Sequence, residues 1–297
     1  MLALAACGTG AEPSPGPPPA REPAAVTRRD AGGDPRLAEA LGRMRARLER
    51  AGVDPDGFHF VVEPPFVVAG DEDRDTVELR SDRVVRWAVD RLKAAYFERD
   101  PAAVIEIWLF RDAASYRKHA GLLFGDKPST PYGYYSSEAG ALIMDISTGG
   151  GTLVHEIVHP FVAANLPGCP DWFNEGLGSL YEQSSEKGGQ IIGLTNWRLP
   201  GLQEALRAHR APTLAELVAT GQDDFYGEKS GLYYAEARYL LYYLQEKDLL
   251  PRFYSAFAAG LAADPTGRAA LEETLGEKLS AFEPTWRKFV LSLRFER

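Results

Sequence analysis

Two histidines four positions apart are the first residues in this sequence whose types and spacing suggest chemistry. The stretch TLVHEIVHPF (152–161) contains His155 and His159, with Glu156 directly after the first histidine. If this stretch is helical, residues i and i+4 project from the same side about 6 Å apart, so both imidazoles can reach one metal ion. Glu156 would then act on a water molecule at the ion rather than bind the ion itself. The competing interpretation is two histidines that pack on a buried helix beside an acid, since the motif can arise by chance.

A candidate for a third ligand lies in the next segment, PDWFNEGLGSLYE (170–182). Apolar residues recur there at helical spacing, which predicts a helix with Asp171 as its N-cap and Glu175 near its first turn. The chain between His159 and Glu175 is long enough for the first helix to end near residues 165–168 and for the second to return antiparallel. Two imidazoles and one carboxylate form a known ligand set for catalytic Zn²⁺.

Other residues could complete the metal site in place of Glu175. Cys169 could bind zinc, but it lies in a Pro-Gly turn before the second helix. Glu182 lies two helical turns beyond Glu175, and we interpret it as a solvated carboxylate or as a group that supports a ligand. No third histidine follows His159 at the short spacing that a three-histidine site requires.

The stretches GTLVHEIVHPFV and WFNEGLGSLYE resemble the two ligand-bearing helices of the gluzincins, the thermolysin-like zinc metallopeptidases. They are most similar to compact bacterial members in which Glu-Gly-Leu follows a tryptophan on the second helix. The resemblance implies one Zn²⁺ held by His155, His159 and Glu175, and hydrolysis of peptide bonds with Glu156 as general base and then general acid. The ligand motifs cover about 30 residues, and the order of strands followed by helices extends the likeness over most of 60–297.

The resemblance also implies a tyrosine or histidine from the helical half that stabilises the oxyanion of the reaction. The aromatic-rich stretch 225–247 supplies candidates, and we predict Tyr234, because the start of this helix approaches the metal in such enzymes. Tyr233, Tyr226 and His209 remain alternatives. For each tyrosine the competing interpretation is packing in the core.

Gluzincins usually bind the substrate backbone along an edge strand beside the metal-binding helix. We predict that GALIMDIS (140–147), which ends just before a glycine triplet, forms that edge, and that Tyr134 and Tyr135 could line the cleft. No residue pattern defines the side chains that the substrate should carry. The overall acidic charge gives at most a slight preference for basic or neutral peptides.

The composition and charge are those of a globular protein that does not bind nucleic acid. The chain has 297 residues, 45% of them hydrophobic, which is enough for a large core. A net charge of −9 and a pI near 5.2 argue against nucleic acid or an anionic membrane surface as the main partner. No run reaches the roughly 18 to 20 apolar residues of a transmembrane helix. We expect a monomer whose partner is a peptide or protein substrate.

The N-terminus suggests a lipid anchor. Residues 1–7, MLALAAC, resemble the truncated end of a bacterial lipoprotein signal, with Cys7 as the residue that receives the lipid. Residues 8–35 contain seven prolines among small and charged residues, which predicts a disordered tether. We therefore expect a protein anchored in the bacterial cell envelope through Cys7, facing the periplasm or the exterior, with Cys169 as a free, buried thiol. An untargeted disordered tail is the competing interpretation.

The remaining periodicity predicts an α+β fold, with a mixed sheet and helices in 36–150 and mostly helices in 151–297, and the resemblance implies that it is of the zincin-like type. Apolar spacing in the first half predicts helices near 36–52, 82–98 and 112–121, and strands near 58–70, 103–110 and 132–147. Residues 187–201 are predicted to form a loop with a small hairpin. The metal-binding motif then lies at the junction of the two halves.

The alternative function is that of a non-catalytic zinc-binding envelope lipoprotein with a role in binding or assembly. Glu156 argues against it, because a metal site without turnover does not require a general base next to its first ligand.

Overall fold

A six-stranded mixed sheet forms the centre of the N-terminal half of the protein. The computed structural model describes residues 26–28 and 34–295. Parallel pairing joins β1 to β2, β3 to β4 and β4 to β6, while β2–β3 and β5–β6 are antiparallel hairpins. The order across the sheet is β1-β2-β3-β4-β6-β5. The strands are β1 (Val26–Arg28), β2 (His59–Glu63), β3 (Phe66–Gly70), β4 (Ile105–Phe110), β5 (Gly133–Ser136) and β6 (Ala141–Asp145).

Alternate residues of the central strands enter two different cores, which explains why these strands are apolar at nearly every position. Ile107 and Leu109 of β4 pack on one side of the sheet, whereas Trp108 and Phe110 pack on the other. The second side is covered by α1 (Pro35–Arg50) and α4 (Ala113–Phe124). The first side is covered by α2 (Arg74–Arg80), α3 (Trp87–Ala95) and α5 (Gly151–Asn165), and its apolar cluster continues into the helical half.

The edge strand is not the one that the sequence predicts. The prediction for 140–147 was wrong in this respect, because β6 lies between β4 and β5, and β5 forms the edge. Every residue of β6 is buried, as expected for a strand covered on both faces, while Tyr135 of β5 is 48% exposed. The unbroken apolar run of β6 was a better guide to its position than its closeness to the metal-binding motif.

The C-terminal half consists of helices and one small hairpin around α10, which packs against α6, α7, α8, α11 and α13. The α+β class, with the strands of the main sheet before residue 150 and mostly helices after it, is confirmed. Among the helices of residues 34–295, none has the length and apolar character needed to span a bilayer. The elements that follow α5 are α6 (Asp171–Tyr181), β7 (Ser184–Lys187), β8 (Gln190–Gly193), α7 (Leu199–Arg207), α8 (Leu214–Ala219), α9 (Gln222–Phe225), α10 (Ser230–Glu246), α11 (Leu250–Gly260), α12 (Arg268–Leu275) and α13 (Leu279–Ser292).

The helix predicted over 82–98 begins with an irregular stretch. Residues Ser81–Arg86 form a π-helical segment, hereafter the π segment, which joins α2 to α3. Glu63 of β2 bonds to both ends of it, since its carboxylate accepts from the Ser81 hydroxyl at 3.3 Å and from the Arg86 guanidinium at 2.9 Å. Short π-helical stretches often occur at functional sites, because they redirect the side chains of one turn.

The helix predicted to end at Gly121 is longer than expected. Asp112 caps the first turn of α4 as predicted, but the helix continues to Phe124. Gly125 ends it in the left-handed conformation (φ 73°), which glycine adopts without a steric penalty. Gly121 is therefore an interior residue of the helix rather than its terminus.

The lipobox ending at Cys7 lies outside the described residues, as does most of the tether predicted over 8–35. Within that tether, Val26–Arg28 forms β1 and pairs in register with Phe60, Val61 and Val62 of β2. The first helix begins at Pro35, with the Asp34 side chain as its cap.

Candidate metal centre

The glycine triplet 149–151 lets neighbouring segments approach the start of α5 closely. A Cβ atom on Gly150 would lie 3.0 Å from the side chain of Val84 in the π segment. A Cβ atom on Gly151 would overlap the backbone oxygen of Glu182, just after α6. The start of α5, which carries His155, Glu156 and His159, is therefore packed directly against the π segment and against the residue that follows α6.

α5 places the two histidines of the motif on one face. His155 is buried and His159, one turn later, is partly exposed, with the ring centroids 4.8 Å apart. The other faces of the helix are fixed by the core, because Leu153, Ile157 and Phe161 are completely buried. The helix therefore cannot rotate to move the imidazoles without disrupting that packing.

α6 brings Glu175 against both histidines, as the sequence predicts. Glu175 Oε2 lies 3.1 Å from His155 Nε2 and 3.8 Å from His159 Nε2. One potential ligand atom from each of the three residues lies within 4.8 Å of the others. Four tetrahedral ligands about 2.0–2.1 Å from Zn²⁺ are about 3.3 Å from one another. The separations of 3.1 and 3.8 Å are close to this value, and none exceeds 4.8 Å, so small side-chain movements would bring the three groups onto one ion.

Two glycines of α6, which sequence reasoning did not single out, make this approach possible. A Cβ atom on Gly178 would lie 3.1 Å from the ring of His155, and one on Gly176 would lie 3.1 Å from Ala237 of α10. The EGLG stretch therefore allows α6 to fit tightly between α5 and α10. Glycines inside a helix that bears a candidate ligand were the available sequence signal, because they cost helix stability unless a close contact requires them.

The outer nitrogens of both imidazoles face oxygen atoms. His159 Nδ1 lies 2.9 Å from Asn174 Oδ1, and His155 Nδ1 lies 3.3 Å from Glu182 Oε1. The Asn174 oxygen favours the His159 tautomer that carries its proton on Nδ1, which leaves the Nε2 lone pair directed at Glu175. The His155 Nδ1–Glu182 contact is an ion-pair distance without hydrogen-bond geometry. The residues present therefore fit a divalent metal ion in both donor chemistry and orientation.

Glu182 is fixed in this supporting position by Arg198. The guanidinium donates to both carboxylate oxygens, from Nη2 at 2.7 Å and from Nε at 3.0 Å, and the Asn196 amide donates to Oε2 at 3.2 Å. The sequence offered two interpretations of Glu182, a solvated carboxylate or a group that supports a ligand. The carboxylate lies beside His155, which favours the second interpretation. Neither Asn196 nor Arg198 was identified from the sequence, because both follow the β7–β8 hairpin and reach the cluster only in three dimensions.

The charges of the cluster stabilise one another against the cost of burial. Burial lowers the pKa of His155, but contacts with Glu175 and Glu182 outweigh this effect and raise the pKa to about 10. Burial raises the pKa of Glu175, while His155 and His159 outweigh it and lower the pKa to about 2. His155 and Arg198 lower the pKa of Glu182 to about 2 in the same way. The carboxylates therefore favour a positive charge here, which either a proton on the imidazole or a divalent cation beside it can supply.

The cluster opens into a cleft of about 850 Å³ that contains the predicted general base. His155, Glu156 and Tyr234 line this cleft together with the glycine triplet. Glu156 is partly exposed, in contrast to the buried His155 next to it in the sequence. Glu156 therefore borders the cleft next to His155, the member of the ligand cluster that also lines it.

The candidate tyrosines occupy different positions around Glu175. The Tyr226 hydroxyl donates to Glu175 Oε1 at 2.8 Å, a contact that the sequence did not reveal. Tyr234 lines the cleft, and its ring stacks near that of His155 at a centroid distance of 6.5 Å. Burial and the nearby Glu175 carboxylate raise its pKa, so the hydroxyl keeps its proton. Tyr233 instead stacks on Phe225 at a centroid distance of 5.8 Å.

The remaining alternatives for the site lie away from the cluster. The Cys169 thiol contacts the carbonyl of Pro170 at 3.4 Å, and burial raises its pKa. Among the described residues the thiol has no disulfide partner, and it is half-buried rather than buried. His209 is exposed just beyond α7, and it does not line the cleft that contains Glu156.

A scan of the chain against protein-family models gives no match, and neither does a search of curated proteins. The description of the chain therefore rests on its own fold and site. It is an α+β protein with a candidate metal centre of two histidines and one glutamate at the junction of its two halves.

Proposed function

We propose that this chain is a zinc-dependent peptidase of the gluzincin type. The observation that carries the proposal is the convergence of His155 Nε2, His159 Nε2 and Glu175 Oε2, with Glu156 exposed to the adjoining cleft. Two imidazoles with one carboxylate are a ligand set of catalytic zinc sites, which keep a further coordination position free for chemistry. A purely structural zinc site would more often be closed by a fourth protein ligand.

Zn²⁺ bound by these residues would lower the pKa of a water molecule and polarise the carbonyl of a peptide bond. The Glu156 carboxylate would accept the proton of that water and deliver it to the leaving amine. The Tyr234 hydroxyl, which stays protonated, would donate to the negative charge that develops on the carbonyl oxygen. Tyr226 would hold Glu175 through its second carboxylate oxygen, which leaves Oε2 for the ion.

The position of the cleft supports an extended peptide as the substrate. Thr130 and Tyr132, which directly precede the edge strand β5, line the same cleft as Glu156. An edge strand has unpaired backbone groups that can bind a substrate backbone as an additional strand. The substrate would therefore lie along β5 rather than along β6.

The proposal is tested by separating metal binding from turnover. Purified protein should contain about one zinc per chain and should cleave members of a broad peptide library. Glu156→Gln should keep the zinc and the fold but lower cleavage by about 10²- to 10⁴-fold, the usual contribution of a positioned acid–base group. Glu277→Gln, on an exposed loop far along the chain, serves as the matched control. Undiminished cleavage by Glu156→Gln would rule out this mechanism, and a zinc-loaded chain that cleaves nothing would favour the binding or assembly role instead.

We also propose that the enzyme is anchored in the bacterial cell envelope through a lipid on Cys7. The support is the sequence of residues 1–7 and the proline-rich stretch that follows. Mass spectrometry of protein from its native cell should find a lipid on Cys7, and an unmodified Cys7 would contradict the anchor.

A further inference from the structure

Four arginines lie between residues 80 and 91, and three of them are paired with carboxylates. Arg80 contacts Glu72 at 3.2 Å and Arg86 contacts Glu63 at 2.9 Å. The third pair joins Arg91 to Glu186 at 2.8 Å. Arg83 differs from these neighbours, because it forms no ion pair or hydrogen bond with any residue in the ranges 26–28 and 34–295.

Arg83 lies where an unpaired charge can meet a substrate. It belongs to the π segment, is exposed, and lines the same cleft as His155 and Glu156. The next residue, Val84, packs directly on Gly150 at the head of α5. The π segment thus borders the cleft. The tight contact between Val84 and Gly150 fixes the position of the π segment relative to α5.

The other cation of the cleft is already held in an ion pair. Arg198 also lines the cleft, but both of its bonded nitrogens donate to Glu182. Glu182 in turn supports His155. Along the described cleft wall, Arg83 is therefore the guanidinium whose donors remain free for a group that enters from solvent.

We propose that Arg83 binds a carboxylate of the peptide substrate, so that the enzyme prefers substrates with a negative charge at one position. A guanidinium recognises a carboxylate through two parallel charge-assisted hydrogen bonds, which fix orientation as well as charge. The carboxylate can belong to an acidic side chain or to the C-terminus of a short peptide. This inference rests on the proposed peptidase function, and it opposes the slight preference for basic or neutral peptides that the overall charge of −9 suggests.

The preference can be measured by binding and by cleavage with the same peptides. A library peptide that the wild type cleaves, or the one that the Glu156→Gln variant binds most tightly if none is cleaved, is resynthesised with Glu, Gln or Lys at each position in turn, always with an amidated C-terminus. A second pair keeps neutral side chains and compares a free C-terminal carboxylate with an amide. Binding of each peptide to the zinc-loaded Glu156→Gln variant is measured by fluorescence polarisation, and kcat/KM is measured on the wild type.

We expect one carboxylate position to improve binding and kcat/KM by about 5- to 20-fold, with an advantage that shrinks at high salt. Arg83→Gln should reduce the Glu-to-Gln ratio at that position to about 1, and Arg83→Glu should reverse it in favour of Lys. Arg80→Gln, one turn earlier and outside the cleft wall, should keep the wild-type ratio. If the preference appears in the amidated series, the bound carboxylate belongs to a side chain of the peptide. If it appears between the free acid and the amide, the bound carboxylate is the C-terminus.

The outcomes distinguish failure of the Arg83 role from failure of the peptidase function. Cleavage without any preference for a carboxylate, or a preference that persists in Arg83→Gln, overturns the role of Arg83 and leaves the peptidase intact. A preference in binding without cleavage by the wild type keeps the anionic subsite and overturns the peptidase. If the chain neither binds nor cleaves any library peptide, both proposals fail.

Discussion

Among the residues that the structure describes, two largely buried clusters combine histidine with carboxylate, and they differ in how their polar atoms are used. The metal-centre cluster is His155, His159 and Glu175 at the junction of the two halves. The second cluster is Asp71, Ser115 and His119, which lies between β3 and α4. Each contains a buried histidine and a buried carboxylate, so burial alone does not distinguish a site from a structural group.

In the second cluster, the three side chains form hydrogen bonds with one another. The Ser115 hydroxyl donates to Asp71, so its oxygen accepts from His119 Nδ1, 2.9 Å away. The imidazole is enclosed by aromatic rings, with the Phe110 centroid 5.2 Å away and that of Phe58 5.4 Å away. Burial lowers the pKa of His119, with a smaller opposing effect from Asp71, so this ring is neutral where His155 favours a charge. A functional histidine cluster needs converging lone pairs and an open cleft, and only the first cluster combines them among the described residues.

The largest expected effect comes from removing a ligand. His155→Ala or Glu175→Ala should lower zinc affinity by more than about 100-fold, because removing even an outer partner of a ligand costs about 10- to 100-fold. His119→Gln should leave zinc content unchanged, and so should Cys169→Ala. Zinc analysis after mild chelation measures both outcomes. Retention of zinc by Glu175→Ala, or its loss from His119→Gln, would break the comparison between the two clusters.

A smaller effect separates the two tyrosines at the metal centre. Tyr234→Phe should lower kcat by about 10²- to 10³-fold with KM nearly unchanged, since an oxyanion donor acts mainly in the transition state. Tyr226→Phe should chiefly weaken zinc binding, by about 10- to 100-fold, since it removes the donor to Glu175 Oε1. Steady-state kinetics and zinc titration of both variants measure the difference. If Tyr226→Phe loses kcat at full zinc loading while Tyr234→Phe is unaffected, the two roles must be exchanged.

The smallest effect is a change in the pH dependence of stability. His119 has a lowered pKa in the folded chain, so the unfolded chain binds more protons as the pH falls below about 6.5. The stability that His119 contributes is present above that pH and is lost as the pH falls toward the folded pKa. His119→Gln should flatten this part of the profile, measured by urea unfolding of the zinc-loaded protein from pH 7.5 to 5. An unchanged slope would show that His119 does not titrate differently on folding.

The same comparison shows how far the sequence could predict the site. His155, Glu156, His159 and Glu175 were predictable, because helical spacing places the histidines on one face and the chain returns soon afterwards with a carboxylate. Asn196, Arg198 and Tyr226 were not, since they lie 14 or more residues from the nearest side chain that they contact at the site. Arg83 carried no local signal at all. The role proposed for it rests on its place in the cleft wall and on the pairing of the neighbouring arginines.

The fold shows a similar division. The α+β class and most strand positions follow from local periodicity, which the chain expresses within each element. The identity of the edge strand did not follow, because it depends on the pairing of β6 with β4, whose residues lie far apart in sequence. The length of α4 was missed for a local reason, since a glycine inside a helix and a glycine at its end look alike until the backbone conformation is known.

The most direct test of the metal centre is anomalous X-ray diffraction from crystals of the zinc-loaded protein, recorded above and below the zinc absorption edge. We predict one peak about 2.0–2.2 Å from His155 Nε2, His159 Nε2 and a carboxylate oxygen of Glu175, with a free coordination position facing Glu156 and the cleft. A peak ligated by Cys169, a peak at Asp71 and His119, or no zinc peak in crystals grown with the metal would contradict the account.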